Sequence, residues 1–339
     1  MSDTPSRPAQ PEPFLCGCAW PPGPGVPYPR CDPGPGGLRL PADTRAVASI
    51  PVGVRFAFLG EPVALEVDYR TETRDLGYRG EGAGTEFVVF RGDRRVDAQP
   101  AQLGEGSVRL HVGEGEEPAI LYLPEGMRPT VLALRAEGGE IAPAPRRKRW
   151  LCYGDSIAEG WCASEPAAAW PHVVSRRFDL DVVNLGYAGS ARGEVPSAQE
   201  IAALDADLIS VAHGTNCWTR TPQSVELFAA GLQAFLDLVR AGHPETPVVA
   251  ISPILRVDAE RTPNVLGASL ADLRAAFETV VERRRKDGDT RLRLAPGGEL
   301  VSEARLPDGI HPDDEGHRQL ARALGPVLAE AIREGATRA

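Results

Sequence analysis

No stretch of about 18 consecutive apolar residues occurs in this 339-residue chain, so no membrane-spanning helix is expected. An excess of basic residues is missing too. Against 37 Lys and Arg stand 47 Asp and Glu, a formal net charge of −10, and such a balance excludes the phosphate-neutralising face that nucleic acid requires. Six cysteines are too few for a disulfide scaffold at this length. Cys16, Cys18 and Cys31 have no histidine nearby, and Cys-x-Cys is not the usual zinc spacing, so they read as structural thiols. Cys152, Cys162 and Cys217 fall near strand ends and read as small apolar fillers. No metal and no cofactor are expected. The opening Met1-Ser2-Asp3-Thr4-Pro5 lacks the charged-then-apolar order of a secretory signal. The expectation is a soluble, cytoplasmic protein with a small-molecule or carbohydrate partner, no nucleic acid and no membrane; oligomeric state is not legible.

What is present suffices for two cores, with 42% of residues apolar. Residues 1–40 are dominated by Pro and Gly, a composition unfit for a helix or a central strand, and read as a loose lead-in or an arm laid over another surface. From about residue 46 short β-type runs follow at 52–58, 63–69, 87–90, 108–112, 119–123 and 131–135, separated by turn clusters. They predict an all-β sandwich or jelly roll over 41–145. Prolines then mark a linker, whose basic run Arg146-Arg147-Lys148-Arg149 reads as a solvated hinge. Over 146–336 strands (150–153, 182–185, 208–212, 248–251, 292–294) alternate with helical patterns (167–178, 197–204, 223–241, 269–286, 314–334). That alternation predicts a three-layer α/β/α domain on a flavodoxin-like parallel sheet. Gly242 and Gly288 stand where helix C-caps are expected.

The second half is organised around Trp150-Leu151-Cys152-Tyr153-Gly154-Asp155-Ser156-Ile157, where an apolar run breaks into a polar turn that presents a serine. Open parallel sheets place their ligands at such strand ends. The next two strands are followed by Asn184-Leu185-Gly186-Tyr187-Ala188-Gly189 and by His213-Gly214-Thr215-Asn216, and Asp308-Gly309-Ile310-His311-Pro312 precedes the last helix. A serine hydroxyl is a weak nucleophile until a base takes its proton, and the base needs an acceptor on its other nitrogen. His311 can be that base and Asp308, three residues earlier, that acceptor. Donors for a developing oxyanion are the backbone N–H groups of Gly189 and Ser156 and the side-chain amide of Asn216.

These segments resemble the SGNH (GDSL-like) family of serine esterases and deacetylases across the whole second half. Gly154-Asp155-Ser156-Ile157 is similar to the nucleophile segment, and Gly189 to the oxyanion glycine. Gly214-Thr215-Asn216 is similar to the Gly-x-Asn segment, and Asp308-Gly309-Ile310-His311 to the closing Asp-x-x-His. The resemblance implies hydrolysis of short-acyl, chiefly O-acetyl, esters through an acyl-enzyme on Ser156, and the preceding β-sandwich resembles the arrangement of carbohydrate O-deacetylases. Cys217 stands where many members carry aspartate, which implies a differently shaped pocket. An acyltransferase acting on a specialised metabolite would use the same triad. A non-catalytic carbohydrate-binding protein would be expected to lack a triad member, and none is lacking. Gly-x-Ser-x-Gly and the phosphate-loop pattern are both absent.

Around this constellation, Trp161 and Trp218 are candidate walls of an acyl or sugar pocket. Arg192, Arg220 and Arg256, each a few residues past a strand end, are candidate contacts to an anionic substrate. The long connection 253–267 is a candidate selectivity loop. His172 and His213 read as satisfied structural histidines, and His317 as a surface residue.

Overall fold

The computed structural model describes residues 8–76 and 84–337; the opening 1–5, on which the signal-peptide argument rests, lies outside the described residues. The N-terminal part contains strands β1 (Leu15–Cys16), β2 (Arg55–Leu59), β3 (Ala64–Thr71), β4 (Glu86–Arg91), β5 (Arg94–Pro100), β6 (Gly104–His111), β7 (Ala119–Tyr122), β8 (Pro129–Glu137) and β9 (Ala142–Pro143), with one helix, α1 (Ala42–Ala48). Among the described residues these strands form two antiparallel sheets, ordered β1-β2-β7-β4-β5 with β9 on β2, and β6-β3-β8. Phe56, Phe58, Leu65, Val67, Tyr69, Phe87, Val89, Leu110, Leu121 and Leu134 meet between them, which makes the pair a sandwich. The larger sheet is buried on its other face as well: Val88, Phe90, Ile120 and Tyr122 pack with Ala167 of the C-terminal half. Burial on both faces is why β4 and β7 read as unbroken apolar runs rather than alternating ones. Strand β5, absent from the sequence expectation, is a polar edge strand without that signal.

The C-terminal part alternates β10 (Lys148–Gly154), α2 (Ser156–Glu159), α3 (Trp170–Arg177), β11 (Leu180–Gly186), α4 (Val195–Ala203), β12 (Leu208–Ala212), α5 (Thr215–Trp218), α6 (Val225–Gly242), β13 (Val248–Ile251), α7 (Leu270–Lys286), β14 (Leu292–Ala295) and α8 (Asp314–Thr337). The strands are parallel in the order β11-β10-β12-β13-β14. One sheet face packs Tyr153, Leu185, Phe235 and Phe277 against α4, α6 and α7. The other packs Trp150, Trp170, Leu324 and Leu328 against α3 and α8. This is the expected three-layer, flavodoxin-like arrangement. The connections reverse direction about β10, so the crevice beside it is the switch point at which doubly wound sheets bind ligands.

Several expectations are corrected. Of the two readings of the Pro/Gly-rich segment, the structure excludes the loose lead-in and has the arm laid over another surface: Arg30 is fully buried and donates to the carbonyls of Val47, Ile50, Asn184 and Gly186. The basic run is only partly solvated: Arg146 and Lys148 are exposed, but three of its four residues are held. Arg147 pairs with Asp179, Lys148 with Asp207, and Arg149 donates to Cys18 and Ala19 carbonyls, because β10 begins there and its neighbours supply acceptors. Gly242 is the last residue of α6 rather than a cap; a Cβ there would lie 2.3 Å from the Ala202 carbonyl oxygen, so it serves close approach to α4. Gly288, at φ +112°, does follow the end of α7 as expected. Among the described residues no helix is long and apolar enough to cross a membrane.

Candidate active site

Register brings the chemistry together. Gly154 is paired with Gly186 on one side and with Ala212 on the other, so β10, β11 and β12 end at one level and their loops lie side by side. At the end of β10 the Asp155 side chain caps α2 by accepting the Ile157 N–H at 3.0 Å, which places Ser156 in the first helical position. Burial raises the Asp155 carboxyl to a pKa of about 6, against the lowering effect of its backbone donors. Gly186 is required by proximity, since a Cβ would stand 2.3 Å from the Glu159 nitrogen. Gly189, at φ +68°, holds a left-handed turn that a side chain would strain.

Ser156 Oγ lies 2.7 Å from His311 Nε2, and His311 Nδ1 lies 2.6 Å from Asp308 Oδ2. The other carboxylate oxygen of Asp308 accepts the N–H groups of Ile310 at 2.9 Å and His311 at 2.7 Å. Partial burial pushes this carboxyl up, but the backbone and imidazole donors outweigh it and hold it below its ordinary value. An ionised carboxylate only accepts, so Nδ1 carries the ring proton and Nε2 is the acceptor facing Ser156. Trp161 covers the imidazole, with ring centres 5.5 Å apart.

Asn216 is buried, and one amide N–H donates to the Ala191 carbonyl at 3.1 Å, tying the β12 loop to the β11 loop; the second amide proton remains available. Gly189 N–H has no acceptor among the described residues. Cys217 is buried with its thiol against the Arg192 carbonyl.

The three arginines do not behave alike. Arg192 is bound to Asp43 at 2.8 Å, a residue of α1, and lies 3.7 Å from Glu194. Arg256 is buried, paired with Asp258 at 2.8 Å and stacked 4.8 Å over Trp218, whose indole donates to the Thr262 carbonyl. Both cations are therefore committed to holding the loops, and Trp218 with them. Arg220 is exposed, has no carboxylate partner among the described residues, and lies beside Gly189.

His317 is fully buried rather than on the surface. Its ring accepts the Trp170 N–H at Nδ1 and lies 3.1 Å from the Trp161 carbonyl at Nε2, so it joins α8 to the loop after α2. His172 is satisfied by the Pro166 carbonyl, but His213 is not: its Nδ1 has no hydrogen-bond partner among the described residues, and burial lowers its pKa to about 4. Two residues escaped the sequence reading. Glu159 is buried and accepts the Ala188 N–H at 2.6 Å, anchoring the loop that carries Gly189; its signal was an acid one turn past Ser156 in an apolar stretch. Cys162, read as an apolar filler, has its thiol 3.9 Å from Asp308 Oδ2, and no sequence spacing announces that contact.

Comparison with curated proteins returns no match. Among solved structures, the whole chain is similar to a GDSL-like lipase from Bacteroides ovatus ATCC 8483, at 20% identity and a TM-score of 0.79 over 98% of both chains. It is similar to the salicylyl-acyltransferase SsfX3 from a tetracycline biosynthetic pathway, at 23% identity and a TM-score of 0.81 over 98% of this chain and 99% of that one. A family two carbohydrate esterase from Clostridium thermocellum matches at 14% identity and a TM-score of 0.61 over 84% of this chain and 96% of that one. At these identities the likeness is one of fold, and it includes the N-terminal β region. The family described as GDSL-like Lipase/Acylhydrolase matches residues 152–319, from the middle of β10 into α8. With the fold and this match in agreement, residues 152–319 are a domain of the GDSL-like lipase/acylhydrolase family.

Proposed function

We propose that this protein is a serine esterase that cleaves short-acyl, chiefly O-acetyl, esters of a small molecule or sugar through an acyl-enzyme on Ser156. One observation carries the reading: the unbroken chain Ser156 Oγ, His311 Nε2, His311 Nδ1, Asp308 Oδ2, with contacts of 2.7 and 2.6 Å. Ser156 Oγ attacks the ester carbonyl carbon while its proton passes to His311 Nε2 and the carbonyl π pair moves onto oxygen. Gly189 N–H, Ser156 N–H and the free amide proton of Asn216 receive that oxyanion. Collapse expels the alcohol, which takes the proton back from His311. Water then attacks the acyl-serine, gives its proton to His311, and the second collapse frees the carboxylic acid and restores Ser156. Asp308 stays ionised and stabilises the imidazolium in both halves.

The preference for acetyl draws on the kinship in fold with carbohydrate esterases, among them an acetyl xylan esterase. Transfer to an alcohol in place of water is the second reading, favoured by the full-length likeness to an acyltransferase. The residues 1–40 and 41–145 are assigned a scaffolding role toward the catalytic unit 146–336. The test is a panel of nitrophenyl esters of rising acyl length run beside acetylated sugars, with acid release measured with and without an acceptor alcohol. Acetate release abolished in Ser156→Ala, with the fold intact, is the expected result. Full activity in that variant, or labelling of another residue by a serine-directed phosphonate, overturns the proposal.

A further inference from the structure

A third donor stands next to the His311–Asp308 pair. Cys162 follows α2 at φ +61°, a left-handed conformation uncommon for a residue with a Cβ, and its thiol faces Asp308 Oδ2 at 3.9 Å. One ligand atom each from Cys162, Asp308 and His311 lies within 4.8 Å of the others. The cysteine and histidine are half-buried and the aspartate is exposed, so the group is open to solvent on one side.

We propose that Cys162, Asp308 and His311 form a binding site for a thiophilic divalent cation, zinc in the first instance, and that occupancy switches the enzyme off. Sulfur, imidazole nitrogen and carboxylate oxygen in one cluster are the donor set zinc prefers, with a fourth position left for water. Zinc bond lengths of about 2.0–2.3 Å place tetrahedral donors about 3.3–3.6 Å apart. The thiol and Asp308 Oδ2 must therefore close slightly from 3.9 Å, and Asp308 and His311 must open from 2.6 Å. Hard cations such as magnesium and calcium require oxygen donors and are not served here.

The inhibition follows from the tautomer, and that part rests on His311 acting as the base. Metal at Nδ1 displaces its proton, and a neutral ring then carries its one proton on Nε2, facing Ser156. Nε2 can no longer take the hydroxyl proton. The balance is simple: the cation enters, the thiol loses its proton to solvent, and the imidazole proton is relocated from Nδ1 to Nε2.

The probe is cobalt(II), which occupies zinc sites and shows a thiolate-to-metal charge-transfer band in the near ultraviolet. Cobalt is titrated into the full chain carrying Ser156→Ala, and separately into Ser156→Ala with Cys162→Ala or Cys162→Ser. Zinc inhibition of short-acyl ester hydrolysis is measured in otherwise wild-type protein and in the Cys162 variants, with reversal by a chelator. The expected result is a band that depends on Cys162, and zinc inhibition weakened more than about 100-fold by its loss, since even outer partners of a metal ligand are worth about 10–100-fold. No band, or a band that persists in both Cys162 variants because one of the other five cysteines holds the metal, overturns the site. A Cys162-dependent band in an active enzyme that zinc does not inhibit overturns the switch. A Cys162-dependent band in a protein that hydrolyses no ester, even with chelator present, supports the site and refutes the esterase reading.

Discussion

Replacing Asp308 by asparagine preserves shape while reversing one hydrogen bond, and the geometry of the turn dictates which one. In the native turn Oδ1 accepts two backbone N–H groups, from Ile310 and His311, while Oδ2 accepts from His311 Nδ1. An amide has a single acceptor atom. The two backbone donors claim it, so the NH2 group takes the place of Oδ2 and points a proton at Nδ1. His311 must then accept there and carry its proton on Nε2, against Ser156 Oγ. A triad held in the wrong tautomer loses about 10⁴ in kcat, or about 5 kcal/mol of transition-state stabilisation. KM for a short ester should change little, because Asp308 does not face the acyl group in this mechanism. Stability should shift by no more than about 1 kcal/mol, since the side chain is 44% exposed and the backbone bonds are kept. Steady-state hydrolysis of nitrophenyl acetate measures the loss, thermal unfolding checks the fold, and nitrogen NMR of the imidazole reads the tautomer. Activity within about tenfold of wild type, or a ring still protonated at Nδ1 in the asparagine variant, would refute the reasoning.

Asn216→Ala should lower kcat by about 10²–10³ with little change in KM, as for other single oxyanion donors; a loss confined to KM instead marks a ground-state contact. His213, whose folded pKa of about 4 lies below the ordinary 6.5, should cost stability as pH falls from 6.5 to 4, where the unfolded chain binds a proton the native state refuses, about 3 kcal/mol in all. Asp155 and Glu200, raised by burial to about 6 and 7, act in the opposite sense over much of that window. The measurement is therefore the difference in melting temperature between wild type and His213→Leu across it, and a difference that does not change with pH counts against the buried neutral ring. Of the three arginines only Arg220 is uncommitted, so Arg220→Ala should reduce kcat/KM for an anionic ester and not for a neutral ester of equal acyl length, with salt eroding the wild-type preference; equal effects on both esters remove Arg220 from substrate selection.

The fold of the C-terminal half was legible because its signals are local. Each strand of a doubly covered parallel sheet is a short apolar run, each helix has its own period, and Ser156, Gly189, Asn216, Asp308 and His311 fall in short segments at or beyond strand ends, or just before the last helix, with recognisable neighbours. What escaped depends on contacts between distant segments. Arg192 read as a substrate contact because nothing local announces that Asp43, 149 residues away, would claim it, whereas the partner of Arg256, Asp258, stands two residues on and was a local signal passed over. His317 looked exposed because α8 begins with charged residues, yet its face toward Trp161 and Trp170 is closed by another loop. The basic run 146–149 looked solvated because its acceptors lie on Asp179, Asp207 and the arm. Short polar elements such as α1 and β5 carry too little apolar pattern to register against turn-like composition.

In the proposed mechanism the arm bears on catalysis through the backbone it holds. Arg30 is a fully buried cation whose guanidinium donates to four carbonyl oxygens, and two of these, on Asn184 and Gly186, belong to the end of β11. Tyr187, the next residue, donates its hydroxyl to the Arg30 carbonyl at 3.0 Å and lies under the guanidinium, 5.2 Å from charge to ring centre. From the other side Glu159 holds the Ala188 N–H, and the Tyr187 N–H returns to the Gly154 carbonyl. The turn that presents Gly189 is thus fixed at every residue before it, by one cation from the arm and one acid from the helix that bears Ser156. An oxyanion donor is effective only if it needs no reorganisation when charge develops. A buried arginine without a carboxylate is costly to desolvate, and its cost is met here by carbonyl dipoles that would otherwise be free to move. In the proposed mechanism the same contacts that order the Pro/Gly-rich arm therefore preorganise the loop that carries Gly189, which gives a physical reason for the two halves to pack as one.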